Sequence, residues 1–221
     1  TTGQIAALET TDLRMIGSNA LRAMSTAQLD ALDTAQLSDV LVGCVTQVGE
    51  QGSHIGKLAV LQAAWSDAVP ALTINRYCAS GLSAVQLAAA QAMATDGLAV
   101  GAGVEMMSRV PMASDQGPLT HDRELQHALQ LLPIGVAADA VATLEGYGRK
   151  QCDDYALASQ QRAAAARDAG HLRSVVPVVW QGQTLLAQDE TPRPQTQAAS
   201  LAQLEPAFAK LAGQPSIAGL L

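Results

Sequence analysis

The chain has 221 residues, 48% hydrophobic and 15% charged, enough aliphatic side chain to fill a core in one large domain or two small ones. A formal net charge of -7 argues against a general nucleic-acid binder, because such proteins cluster lysine and arginine against phosphates. Three cysteines, Cys44, Cys78 and Cys152, are too few and too scattered for a disulfide framework or a four-ligand zinc site, so no metal is expected and the cytoplasm is the default compartment.

No apolar run reaches the roughly 18 residues needed to cross a bilayer, so no membrane span is expected, and the opening "TTGQIAALETTDLRMIG" lacks the charged-then-apolar build of a signal peptide. Leu13, Ile16, Ala20, Leu21 and Met24 share one helical face, which predicts a helix over about 11–24 capped by Thr10, Thr11 or Asp12. "LSDVLVGCV" predicts a buried strand over about 39–45, and "GEQGSHIGKLAVLQAAW" a glycine-rich turn followed by a helix over about 53–65. "AVPALTIN" is the next strand, ending just before Cys78. A helix then runs to about Thr95, and "GLAVGAGVE" is another buried strand.

Strands alternating with helices predict an α/β fold: layered, with a mainly parallel sheet and helices on both faces. From Met106 to Gly148 the period weakens among prolines and glycines, which predicts a loop region over the sheet. Regularity returns in a helix over about 149–169 closed by Gly170, two strands around a turn at Gln181 and Gly182, and a short helix broken near Pro206. The expected divisions are therefore a core over 1–105, the loop region over 106–148, and a remainder over 149–221.

Cys78 stands at a strand end and a helix start, where unpaired N–H groups and the macrodipole favour negative charge. Those N–H groups could also stabilise an oxyanion, and Ala79, Ser80 and Gly81 leave room for a substrate. From position alone, a cysteine in an apolar helical context is usually an inert packing residue. Cys44 falls in a predicted buried strand and Cys152 beside Asp153 and Asp154, whose charges disfavour a thiolate, so both read as structural. His54, His121 and His127 lie in loops or helix starts without metal-ligand pairing, and His171 sits at a helix end.

The stretch "NRYCASGLSAV" resembles the nucleophile motif of the thiolases, acyl-CoA C-acyltransferases whose helix-cap cysteine becomes acylated. "DVLVGCVTQVGEQG", "GAGVEMMSRVPM", "LPIGVAADAVATLEGYGRKQCDDYALASQQRAAAA" and "DETPRPQT" are similar to further family segments in the family's order, from about Thr11 to Leu211. The resemblance implies that Cys78 is the acyl-accepting nucleophile, with its own N–H as one oxyanion donor. It also implies that Asn75, Ser80 and Gly81 shape the catalytic loop. Pro133, Ile134 and Gly135 fall where the family covers the pantetheine arm, although many thiolases carry His-Met-Gly there. Acyl-CoA and CoA are then substrates with no separate cofactor, and a homodimer or homotetramer is expected.

Three family motifs do not occur here: Gly-His-Pro, Asn-Glu-Ala-Phe and the second Cys-x-Gly. A thiolase has a second, similar half that supplies them, and its first strand carries an Arg-Thr-Pro-like turn that this sequence also lacks. Either further residues belong to the protein, or it is a remnant serving as a non-catalytic dimerisation or scaffolding subunit. A ketoacyl synthase shares the helix-cap cysteine, but "GVEMMSRVPM" points away from it.

Overall fold

The structure, a computed structural model, describes residues 34–211, so the helix expected over about 11–24 lies outside the described residues. The chain divides between Gln126 and His127 into two compact units.

The first unit is built on three parallel strands, β1 (Leu37–Gly43), β2 (Ala71–Ile74) and β3 (Leu98–Gly103), in the order β2-β1-β3. Parallel neighbours need long crossovers, and helices supply both: α1 (Ile55–Gln62) joins β1 to β2, and α2 (Ser80–Thr95) joins β2 to β3. Side chains alternate along a strand, so β1 divides its residues between two cores. Val40 and Val42 pack with Val60 and Val69 in one cluster, and Leu41 packs with Ala84 and Ala88 of α2 in the other. A strand covered on both faces has no polar side to show, which is why this segment is a near-continuous apolar run.

α2 lies close on the sheet because its inward positions are small, with Ser80, Ala84 and Ala88 recurring every four residues. The strands answer with glycine. A β-carbon on Gly43 would stand 2.5 Å from the carbonyl carbon of Ser80, and one on Gly101 would stand 2.7 Å from the Cα of Val85. α2 leaves Leu82 and Met93 exposed.

Two expectations need correction. β1 spans 37–43 rather than about 39–45, because the chain leaves the ladder at Cys44, whose N–H still reaches Ile74 O at 2.9 Å and whose side chain stays fully buried. The stretch over 106–148 is not all loop either. It carries α3 (Pro118–His121), α4 (Arg123–Ala128) and α5 (Ile134–Leu144). The buried face of α5 is only Val136 and Ala140, one turn apart, too short a signal to stand out among the flanking prolines and glycines.

The second unit continues with α6 (Arg149–Asp168), an antiparallel hairpin of β4 (Val178–Trp180) and β5 (Gln183–Leu186), and α7 (Ala198–Ala202). α6 closes as read: Gly170 takes φ +69°, its N–H bonds Arg167 O, and the His171 N–H bonds Ala166 O. The hairpin turn also forms where expected, with Gln181 at φ +48° and Gly182 at φ +76°. Among the described residues no helix is long and apolar enough to cross a membrane.

Candidate active site

From β1 the chain runs to β2 on one side, and β3 then joins on the other, so the connections leaving the carboxyl ends of β1 and β3 part around a crevice. A cavity of about 710 Å³ lies there, wholly within the first unit. Val45 and Thr46 after β1, Val104 and Glu105 after β3, and Cys78 with Gly81 at the start of α2 line it. Met107, Met112 and Leu119 form an apolar wall.

Cys78 reaches this crevice on a turn that costs energy to hold. Tyr77, immediately before it, has φ +47°, a left-handed conformation that costs a non-glycine residue about 1 kcal/mol. Two neighbours enforce it. Asn75 Oδ1 accepts the Tyr77 N–H at 2.8 Å while its Nδ2 donates to Val45 O at 3.2 Å. The buried Ser80 hydroxyl donates to Tyr77 O at 2.6 Å and accepts the Arg76 N–H at 2.8 Å. Ala79 and Ser80 close the turn by donating to Arg76 O and Tyr77 O. The N–H groups of Cys78 and Gly81 hold no hydrogen bond among the described residues, and no atom stands within 4 Å of where a Gly81 β-carbon would be. A thiol, unused amides and open space therefore coincide at the mouth of the crevice.

Glu105 closes the floor. Burial alone would raise its carboxyl, but hydrogen bonds from the Val45 N–H, Gln51 Nε2 and the Thr46 N–H outweigh it and hold the group below the usual carboxylate range. Burial first, and then the charge of Glu105, push the Cys44 thiol up, which keeps it protonated and inert. Sequence reasoning missed Gln51 and Glu105 as site residues. The quoted "GEQG" and "GVEMMS" stretches contain them, but nothing in their spacing says that a loop and a strand end 54 residues apart in sequence will meet.

The structure brings Cys78, Asn75, Ser80 and Gly81 into one turn. Pro133, Ile134 and Gly135 lie in the second unit, where Pro133 precedes α5, Ile134 is exposed, and a β-carbon on Gly135 would collide with the Phe208 ring. Cys152 is exposed on α6. His54 caps α1, accepting the Lys57 N–H on Nδ1 at 3.2 Å with Nε2 on Ala71 O at 3.0 Å, and no histidine lines the crevice among the described residues. No group of metal-ligating side chains forms among the described residues.

Residues 2–216 match the family model of the thiolase N-terminal domain. The chain belongs to the thiolase family. It is 33% identical over 225 residues to the beta-ketoadipyl-CoA thiolase of Pseudomonas aeruginosa, covering 92% of this chain and 55% of that protein. With the 3-ketoacyl-CoA thiolase of Saccharophagus degradans it shares 35% identity over 183 residues, covering 79% of this chain and 46% of that one. A crystal structure of human mitochondrial 3-ketoacyl-CoA thiolase in complex with CoA superposes with a TM-score of 0.69 at 26% identity, over 92% of this chain and 54% of that chain. This thiolase chain thus spans about half the length of the relatives it matches.

Proposed function

We propose that Cys78 is the acyl acceptor of a thiolase-type acyltransferase acting on 3-oxoacyl-CoA and CoA. The observation that carries this reading is the meeting, in the lining of one crevice, of an exposed thiol with N–H groups of Cys78 and Gly81 that hold no hydrogen bond among the described residues. In the degradative direction the thiolate Sγ attacks the C3 ketone of the 3-oxoacyl-CoA. The oxyanion is held by the Cys78 N–H, the C2–C3 bond breaks, and the departing enolate of acetyl-CoA takes a proton. The thiolate of a second CoA then attacks the acyl-cysteine carbonyl and frees the sulfur. Run in reverse, an acyl-CoA acylates Cys78 with loss of CoA, and a second acyl-CoA, deprotonated at its α-carbon, attacks the acyl group.

Both directions need a base, and we assign it to protein outside the matched stretch, since no histidine lines the crevice among the described residues. Negligible turnover of this chain alone is therefore expected, even where Cys78 can be acylated once. Pantetheine contact at Pro133, Ile134 and Gly135 belongs to the same reading and is supported by sequence resemblance alone. So do a context in fatty-acid β-oxidation, a cytoplasmic location and assembly as a homodimer or homotetramer.

One observation favours a second reading, a non-catalytic subunit that pairs through this half: Leu82 and Met93 of α2 are 62% and 85% exposed, apolar side chains that a second copy could cover. Incubation with acetyl-CoA, acid quench and peptide mapping separates the two. A thioester adduct at Cys78, absent from Cys78→Ser, supports the enzyme; no adduct together with a stable dimer by light scattering supports the subunit.

A further inference from the structure

A continuous set of hydrogen bonds joins the end of β3 to the turn before Cys78. Glu105 accepts the Val45 N–H and the Thr46 N–H, the latter at 3.4 Å, on Oε1, and accepts Gln51 Nε2 at 3.0 Å on Oε2. Gln51 is itself buried, with Nε2 also on Thr46 O at 3.0 Å and Oε1 taking the Met106 N–H at 2.5 Å. The backbone of Val45 is consequently held at both ends, its N–H by Glu105 and its C=O by Asn75. Asn75 passes the restraint on by accepting the N–H of the left-handed Tyr77.

Three donors converge on residue 105, and only an ionised carboxylate offers acceptors without bringing a proton of its own. The same saturation argues against Glu105 as the base for Cys78, because its oxygens already serve three N–H donors and its carboxyl is held low. Left-handed Tyr77 persists only while its surroundings over-determine it. If Val45 loosens, Asn75 loses one of its two anchors, Tyr77 can relax to negative φ, and Cys78 turns with it.

We infer that Glu105 and Gln51 are positioning residues for Cys78, acting through Val45 and Asn75 to fix the direction of both its Sγ and its N–H. This inference rests on the reading of Cys78 as acyl acceptor and adds to it two residues that act only through others.

The test uses the full 221-residue chain and its Glu105→Ala, Glu105→Gln and Gln51→Ala variants. Two readouts are taken: amide hydrogen exchange by residue, and the alkylation rate of Cys78 by iodoacetamide relative to exposed Cys152. In Glu105→Ala the amides of Tyr77, Ala79 and Ser80 should exchange roughly tenfold faster, with α6 unchanged. The Cys78 to Cys152 ratio should fall about fivefold, because a wandering thiol is less often aligned. Gln51→Ala should move both readouts the same way. Glu105→Gln keeps an acceptor oxygen for Val45 and Thr46 and should recover most of the loss. Faster exchange confined to Val45 and Thr46, with the ratio unmoved, overturns the inference. Should Glu105→Ala lose its fold throughout, Gln51→Ala decides: faster exchange at 77–80 with a lower Cys78 to Cys152 ratio supports the inference, and no change in either overturns it. Acylation by acetyl-CoA is scored separately on the unaltered chain, so a failure of the acyl-acceptor reading is seen apart from a failure of the relay.

Discussion

Two of the turns that use left-handed residues meet that requirement in opposite ways. The hairpin turn between β4 and β5 uses Gln181 and Gly182 on an exposed ribbon, where glycine takes positive φ at little cost. The turn before Cys78 puts Tyr77, a bulky aromatic residue, at φ +47° and holds it with Asn75 and the buried Ser80. One turn eases half of its left-handed demand with a glycine; the other places a bulky residue there and holds it with hydrogen bonds from Asn75 and Ser80. Strain of the second kind survives only where the structure around it is over-determined, and here it lies beside the thiol that the proposed chemistry uses.

The largest effect that could break this contrast is at Gly43. Gly43→Val should overpack the contact with Ser80 and destabilise the chain by about 3 kcal/mol, because the clash is with backbone that cannot step aside. At the hairpin, Gly182→Ala meets open space and should cost only the left-handed penalty, about 1 kcal/mol. Urea denaturation of both variants measures the difference, and equal losses would contradict the close packing of β1 against the start of α2 that sets the Cys78 side apart from the open hairpin.

Next in size is Ser80→Ala, which strands the Arg76 N–H and leaves the Tyr77 carbonyl with only the Ser80 backbone N–H at the base of the turn. A loss of about 2 kcal/mol is expected in the same denaturation experiment. Slower alkylation of Cys78 relative to Cys152 should accompany it; stability lost without that change would detach the strain from the thiol.

Acid stability gives a smaller, signed effect. The folded carboxyl of Glu105 lies below its unfolded value, so its contribution is present above the ordinary carboxylate range, near pH 4.3, and is lost as pH falls through the folded value. Denaturation midpoints followed from neutral to acid pH should fall less steeply in Glu105→Gln than in the unaltered chain. The smallest effect is at Arg109, whose bidentate pair with Glu50 lies in solvent. Arg109→Ala should leave the neutral-pH midpoint unchanged, a control showing that ion pairing as such does not stabilise this end of the sheet.

How much could be read in advance follows the range of the forces involved. α2 begins and ends as expected because a small-residue stripe and a strand–turn–helix boundary are local signals. Gly170 and the Gln181–Gly182 turn were legible for the same reason, since backbone conformation there selects the residue type. Cys78, Asn75, Ser80 and Gly81 were singled out by their motif, and as neighbours in sequence they share one turn. The left-handed Tyr77 was not, since tyrosine signals nothing of the kind, and neither was the convergence of Gln51 and Glu105, which depends on β1 and β3 lying side by side. α5 was missed because burial on one turn leaves too short a period to stand out from its prolines.

The central claim is that Cys78 is built to accept an acyl group and is not merely an exposed thiol. Its most direct test compares two reagents on one protein, by mapping the yield at Cys78 against that at Cys152 first with acetyl-CoA and then with iodoacetamide. Thioester attack develops an oxyanion that the Cys78 N–H can hold, whereas alkylation does not. The account predicts a Cys78 to Cys152 ratio at least about tenfold higher with acetyl-CoA than with iodoacetamide. Equal ratios with the two reagents would contradict it.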